Sequence, residues 1–393
     1  MIWISGAVAP VCYVFSQADG LENPVAETGF LTRYRIGDLL AVLAEAGYRV
    51  VGPVHRDGAI VYADLHSAGD LPAGVMVETA PGTVRSTGTQ LPRLFAWANG
   101  PQALKPLLFR PDEALWRVHR GDDGTLAFRP VNADAQPLAV IGVRACDLAA
   151  LRLQDQHFLH GVYRDEHYAA RRAQLLLVAV NCTHPAATCF CAATGDGPQT
   201  EGGFDLLLDE LDEGFIVTAG SRRGRELFAG LPLLPVREDQ MRKVADANHK
   251  ARVMQTRAIP AGDLYDELMA RREHPRWSEV AERCLSCGNC TQVCPTCFCS
   301  REQDQAQLDG RASAHVRQWD SCFSEGHSYI HGLVVRGEPR HRYRQWLTHK
   351  LGGWHRQYGR SGCVGCGRCI AWCPVGIDIC AEVNALLGGA HDA

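Results

Sequence analysis

Two stretches with one cysteine pattern decide the fold of the C-terminal part: CLSCGNCTQVCP at 284–295 and CVGCGRCIAWCP at 363–374. In each, pairs of residues separate the first three cysteines, three residues precede the fourth, and a proline follows. Three closely spaced thiolates can surround one face of a 4Fe-4S cube, and loop amides that point inward stabilise its negative charge. The pattern therefore predicts two 4Fe-4S clusters.

The fourth cysteine of each stretch is expected to bind the cluster of the other stretch, as in two-cluster ferredoxins. One cluster is then assigned to Cys284, Cys287, Cys290 and Cys373, and the second to Cys363, Cys366, Cys369 and Cys294. The alternative is zinc, but zinc sites with four cysteine ligands typically use two separated CxxC pairs. A longer run that ends in proline and occurs twice favours iron–sulfur chemistry.

Composition limits the other possibilities. A chain of 393 residues is too long for one ordinary core, and a net charge of −4 gives no general reason to expect nucleic-acid binding. The first basic residue is Arg33, so the apolar N-terminus lacks the basic start of a secretory signal, and no segment is long enough to span a membrane. We expect a cytoplasmic protein whose 17 cysteines are reduced and bind metal, without membrane or nucleic-acid partners.

The N-terminal part reads as an α/β domain at 31–237, preceded by an irregular extension at 1–30. Residues 33–48 have helical apolar spacing, and a hairpin turn at Asp57-Gly58 follows. Buried strands are predicted at 137–143 and 174–181, and a strand-then-helix unit at 215–230. Alternating strands and helices of this kind are typical of α/β domains.

Residues 238–275 form a polar helical linker, interrupted at Pro260 and Gly262, and 276–393 form a mainly helical two-cluster ferredoxin-like domain. The segment 341–360 is rich in basic and aromatic residues and in isolation resembles a nucleic-acid patch. We interpret it instead as a helix whose aromatic side chains pack on the cluster domain and whose cations offset cluster charge.

Four further cysteines suggest a third site. Cys146 and Cys182 each follow a buried strand of a sheet expected to be parallel, where ligands bind at the carboxyl ends of the strands. Asp147 is predicted to cap the helix that begins beside Cys146, and a helix N-terminus favours an anion. Cys189 and Cys191 lie in the loop after the second strand, which makes four candidate ligands of a third 4Fe-4S cluster. Zinc and simple buried or redox-active thiols are the alternatives.

The string TCFC at 188–191 recurs at 296–299. Cys297 and Cys299 follow Cys294, whose cluster already has four assigned ligands. Packing near the clusters is the interpretation we favour, and ligation of a cluster shared with the α/β domain is the alternative. The chain lacks a G-x-G-x-x-G motif, a P-loop and a G-x-S-x-G motif, so we predict electron transfer with no catalytic residue of its own.

Several stretches together resemble one family: GVRACDLAALRLQDQHFL (142–159), NCTHPAATCFC (181–191), CLSCGNCTQVCPTCFCS (284–300), WDSCF (319–323) and residues 343–379. They resemble the iron–sulfur beta subunit of soluble NAD(P)-linked nickel–iron hydrogenases, also called sulfhydrogenases. The A subunit of anaerobic sulfite reductase is a close relative. The resemblance extends over residues 36 to 385.

The resemblance implies a heterotetramer in which a flavin subunit binds NAD(P)H and small and large hydrogenase subunits carry the path to the nickel–iron site. The eight ferredoxin-type cysteines match the family pattern, and so do Cys146, Cys182, Cys189 and Cys191. The implied function is electron transfer between the flavin subunit and the hydrogenase module. An electron-transfer subunit of a sulfite reductase is the alternative, and a zinc-bound scaffold is an alternative of another class.

Overall fold

A computed structural model describes residues 27–388. Most of the expected irregular extension at 1–30 lies outside that range, and its last residues begin a strand. The first part contains β1 (Thr28–Thr32), α1 (Ile36–Glu45), β2 (Arg49–Arg56), β3 (Ala59–Asp64), β4 (Val75–Ala80), β5 (Thr83–Gly88), α2 (Lys105–Leu108), β6 (Asp112–Arg120), β7 (Leu126–Pro130), β8 (Leu138–Val143), α3 (Ala145–Phe158), α4 (Glu166–Ala173), β9 (Leu175–Val180), α5 (Cys191–Thr194), β10 (Leu206–Glu210), β11 (Gly214–Ala219) and α6 (Arg222–Phe228).

The second part is richer in helices. It contains α7 (Glu238–Val253), α8 (Tyr265–Ala270), α9 (Arg276–Arg283), α10 (Asn289–Gln292), β12 (Ser300–Ala306), β13 (Ala312–Trp319), β14 (Tyr329–Ile330), β15 (Leu333–Val334), α11 (Pro339–Thr348), a π-helical turn (His349–Gly353), α12 (Trp354–Tyr358), α13 (Arg368–Ala371) and α14 (Ile379–Leu387). Among the residues described, no helix has both the length and the apolar character needed to cross a membrane.

A seven-stranded mixed sheet organises the α/β part, in the order β1-β11-β10-β9-β8-β2-β3. The four central strands β10, β9, β8 and β2 run parallel, and every residue of β9 is buried. The strands β1, β11 and β3 are antiparallel to their neighbours. The expectation of a parallel sheet is thus correct only for the centre. The three-residue turn between β10 and β11 forces antiparallel pairing, since a parallel pair needs a longer crossover.

A second sheet joins the two parts of the chain. Its order is β12-β13-β6-β7, and β13 pairs with β6 from Ala312 opposite His119 to Gln318 opposite Asp112. Sequence reasoning missed these strands because they carry little apolar alternation: β12 is polar and largely exposed, and every residue of β7 is exposed. The cluster-bearing part therefore contributes strands as well as the expected helices.

The segment 341–360 packs as a helix on the C-terminal core. Tyr343, Trp346 and Trp354 are buried, and Tyr343 lies beside the buried Trp277 of α9 with ring centroids 6.1 Å apart. Between α11 and α12 the chain widens into the π-helical turn, which buries Lys350 and Leu351. A Cβ atom at Gly352 would lie 2.5 Å from the Cα of Tyr265, so only glycine allows this close approach of α8.

Candidate iron–sulfur sites

The first cysteine stretch follows α9 and includes the short helix α10, which carries Cys290. Cys284, Cys287 and Cys290 line one pocket together with Cys373, the last cysteine of the second stretch, and Cys369 of that stretch also reaches the pocket wall. Apolar and aromatic side chains complete the wall, among them Phe323, Trp346 and Ile377. The structure therefore brings together the four cysteines that the sequence assigns to one cluster.

The second stretch holds Cys363, Cys366 and Cys369 near Cys294 of the first stretch. Burial and, to a smaller extent, the neighbouring Cys366 and Cys294 raise the pKa of the Cys363 thiol to about 12. For Cys369, too, burial is the main cause of a raised pKa, followed by the proximity of Cys363, Cys366 and Cys294. These effects place the four sulfurs in one group, as the sequence assigns them.

The first pocket reaches the protein surface through an exposed cysteine, whereas the cysteines of the second group are half-buried or buried. Cys287 is exposed, and its neighbour Leu285 is 64% exposed. Cys366 is buried, and Gly365 beside it is packed so closely that a Cβ atom would lie 2.5 Å from the backbone nitrogen of Cys191. The two groups therefore differ in their access to solvent and to partner proteins.

The four cysteines of the α/β part also meet. Cys146, Cys182, Cys189 and Cys191 line one pocket with Ala98, Asn99, Arg144, Ala145, Pro185 and Pro198. Cys146 lies in the first turn of α3, directly after β8, and Cys182 follows β9, the parallel neighbour of β8. The carboxyl ends of adjacent parallel strands thus bring these thiols to one edge of the sheet, as the sequence predicts.

The prediction that Asp147 caps α3 is wrong. The helix begins at Ala145, its N-cap position is Arg144, and no side chain caps it. Asp147 instead lies in the first turn, where its carboxylate accepts hydrogen bonds at 2.7 and 3.1 Å from the guanidinium of Arg368. The sequence gives no local sign of this pair, because its members are far apart in the chain and both are fully buried.

The third pocket lies directly against the second cysteine stretch. The backbone N–H of Phe190 donates to the carbonyl of Gly365 at 2.8 Å. The side-chain amide of Asn99 is 3.5 Å from the Cys146 sulfur and donates to the Cys366 carbonyl at 3.4 Å. Residues of the third pocket and of the second group therefore share hydrogen bonds.

The second TCFC string has different surroundings from the first. The buried ammonium of Lys350 donates to the sulfurs of Cys294 at 3.5 Å and Cys297 at 3.3 Å, and to the Thr296 hydroxyl at 2.8 Å. Burial opposes the charge of Lys350, but the adjacent Cys294 and Cys297 raise its pKa above the ordinary value. Sequence reasoning anticipated cations in this segment but did not identify Lys350.

All sixteen cysteines of the described range are free. Within that range, no three His, Cys, Asp or Glu side chains converge closely enough to bind a single metal ion. The thiols instead surround pockets, and four sulfurs around a pocket suit a polynuclear cluster better than one ion.

The cysteine geometry has a counterpart among known families. A family described as a 4Fe-4S dicluster domain matches residues 283–377, which include both cysteine stretches. This part of the chain is thus similar to 4Fe-4S dicluster domains.

Similarity to a curated protein is more extensive. The chain is 28% identical over 346 residues to sulfhydrogenase 2 subunit beta of Pyrococcus furiosus (strain ATCC 43587 / DSM 3638 / JCM 8422 / Vc1), and the match covers 86% of this chain and 91% of that protein. The resemblance to the iron–sulfur beta subunit of sulfhydrogenases is therefore confirmed. No solved structure matches the chain.

Proposed function

We propose that this chain is the electron-transfer subunit of a cytoplasmic NAD(P)-linked nickel–iron hydrogenase. It would relay electrons between a flavin subunit that binds NAD(P)H and the small and large hydrogenase subunits. The observation that carries the proposal is the exchange of cysteines between the two stretches, in which Cys373 joins Cys284, Cys287 and Cys290 around one pocket. The similarity to a sulfhydrogenase beta subunit supports the choice of complex.

Three clusters are proposed. Cys284, Cys287, Cys290 and Cys373 would hold the surface cluster, and Cys363, Cys366, Cys369 and Cys294 the central cluster. Cys146, Cys182, Cys189 and Cys191 would hold the third cluster. When bound, a 4Fe-4S cluster accepts and releases one electron without breaking any bond of the chain.

Contacts of the chain's own residues make the three proposed sites neighbours. Exposed Cys287 opens the surface site to a partner. Cys290 and Cys369 line the same pocket, which connects the surface and central sites. The Phe190–Gly365 hydrogen bond connects the central and third sites. A relay to partner subunits requires adjacent redox sites and an exposed site at which electrons enter or leave, and both features are present here.

Cysteine substitutions in the full chain test the ligand sets. After anaerobic reconstitution, the chain should bind about twelve irons, or about eight if the third cluster does not form. Cys373→Ala should remove the same EPR signal as Cys284→Ala, and Cys294→Ala the same signal as Cys363→Ala. Cys380→Ala is the matched control, because this buried cysteine lines neither the surface pocket nor the third pocket and is not an assigned ligand.

The third cluster has its own test. The double substitution Cys189→Ala/Cys191→Ala should lower the iron content by about four per chain and leave the other two EPR signals in place. An unchanged iron content would show that these thiols only pack against each other. Iron near zero in the wild-type chain, with stoichiometric zinc instead, would favour the zinc-scaffold alternative and overturn the proposed function.

Purification of the native complex without oxygen tests the choice of partners. A hydrogenase complex should contain nickel and a flavin subunit. It should also catalyse the reduction of NAD(P)+ by H2. Sirohaem in place of nickel would assign the chain to an anaerobic sulfite reductase, the second candidate, which requires the same relay.

A further inference from the structure

The central and surface sites differ in the charge of the side chains around them. The surface site is lined by Phe323, Tyr343, Trp346 and several aliphatic residues, and none of its lining residues is basic. The central site has the ammonium of Lys350 within hydrogen-bonding distance of Cys294, one of its four assigned ligands. The two sites therefore present different electrostatic environments to clusters of the same type.

Lys350 is a buried cation that pairs with no carboxylate in the part of the chain that the structure describes. It is 4% exposed, and within residues 27–388 it forms no salt bridge. Its polar contacts are the sulfurs of Cys294 and Cys297 and the Thr296 hydroxyl, and its ammonium lies 4.8 Å from the ring centroid of Trp354. A buried charge without a counter-charge is strongly unfavourable, so the cysteine sulfurs, among them the assigned ligand Cys294, are its natural counter-ion.

The backbone fixes Lys350 in this position. The π-helical turn His349–Gly353 points Lys350 inward between α11 and α12, and turns of this kind are frequent at functional sites. Close packing of Gly352 on Tyr265 allows the turn to approach α8. The ammonium is therefore held beside Cys294 by packing and not by a flexible surface chain.

We propose, on the basis of the proposed function, that Lys350 raises the reduction potential of the central cluster above that of the surface cluster. Reduction adds one electron, and thus one negative charge, to a cluster, while no bond or proton is transferred. A cation that donates a hydrogen bond to a ligand sulfur stabilises this added charge. The apolar lining of the surface site provides no such cation. The central cluster is consequently the first of the two to be reduced.

An EPR-monitored redox titration of the reconstituted full chain with dithionite tests this order. In the wild type, the first of the two ferredoxin-type signals to appear should be the one that Cys363→Ala removes. Lys350→Met should lower the ratio of reduced to oxidised central cluster at least tenfold at a fixed potential, which corresponds to about 59 mV for one electron. Lys350→Arg keeps the positive charge and should retain the wild-type order.

Lys243→Met is the control for loss of a lysine, because Lys243 is exposed and pairs with Glu213. An unchanged titration of Lys350→Met would overturn the proposal, as would first reduction of the signal that Cys284→Ala removes. If Lys350→Met does not bind the central cluster, the wild-type order and the Lys350→Arg titration still decide the question. Absence of both cubane signals from the wild type would instead refute the proposed function.

Discussion

Replacement of Asp147 by asparagine should destabilise the contact between the two parts of the chain. The carboxylate of Asp147 and the guanidinium of Arg368 are each 1% exposed and lie 2.7 Å apart. Arg368 also donates to the backbone carbonyls of Gly100 and Gln102, at 2.9 and 3.2 Å. Asp147→Asn would therefore leave a buried guanidinium that cannot move to solvent without losing these bonds.

The expected cost follows from this geometry. Removal of one member of a buried ion pair typically costs about 3–5 kcal/mol, because the remaining charge has no partner. If the pair is broken at the transition state for unfolding, the rate of unfolding should rise by about two to more than three orders of magnitude. Asp64→Asn is the control: the pair Arg49–Asp64 is 58% and 45% exposed, and its loss should cost less than about 1 kcal/mol.

The assay is anaerobic unfolding in guanidinium chloride, followed by far-UV circular dichroism and by visible cluster absorbance. Rates are compared because loss of clusters makes unfolding irreversible. The double variant Asp147→Leu/Arg368→Met should recover much of the lost stability, since it removes both charges. Similar rates for Asp147→Asn and Asp64→Asn, or additive effects in the double variant, would refute the reasoning.

Two further outcomes follow from local geometry. Gly365→Ala should lower iron binding at both the central and the third site, because the added Cβ would lie 2.5 Å from the backbone nitrogen of Cys191. Gly359→Ala is the control: Gly359 has a similar positive φ but free space around it, so this substitution should leave the iron content unchanged. Hydrogen bonds that the ring of half-buried His315 donates to Asp304 and Glu302 raise the pKa of this histidine. Protonated His315 should therefore stabilise the folded protein by about 0.5 kcal/mol. This contribution should be fully present below about pH 6.5 and should be lost as the pH rises through the raised pKa of His315 in the folded state. An NMR titration of His315 and unfolding at pH 6 and 8 would check this, with His315→Gln showing no such change.

Much of the α/β part could be predicted from the sequence because its signals are local. The hairpin at Asp57-Gly58 and the strand before Cys182 are confirmed, since turn residues and continuous apolar runs determine them. The strand β10 was not predicted. Because β11 pairs antiparallel with β10, the antiparallel edge of the sheet could not be predicted without β10.

The cysteine sites divide in the same way. Spacing alone was sufficient to group Cys284 with Cys373, because the ferredoxin pattern includes the exchange of ligands. The contact between Gly365 and the loop at Cys191 could not be predicted, since it depends on how two distant segments pack. Lys350 was hidden for a similar reason: a lysine in a basic helical stretch usually faces solvent, and only the π-helical turn directs this one inward.

The sheet that joins the two parts has a consequence for synthesis on the ribosome. Strand β6 ends at Arg120, but its partner β13 is complete only at Trp319, about 200 residues later. At 5–20 residues per second, the edge of β6 would remain unpaired for roughly 10 to 40 s. Exposed strand edges favour association between chains, so the nascent protein has a defined period in which a chaperone that covers this edge would improve its yield.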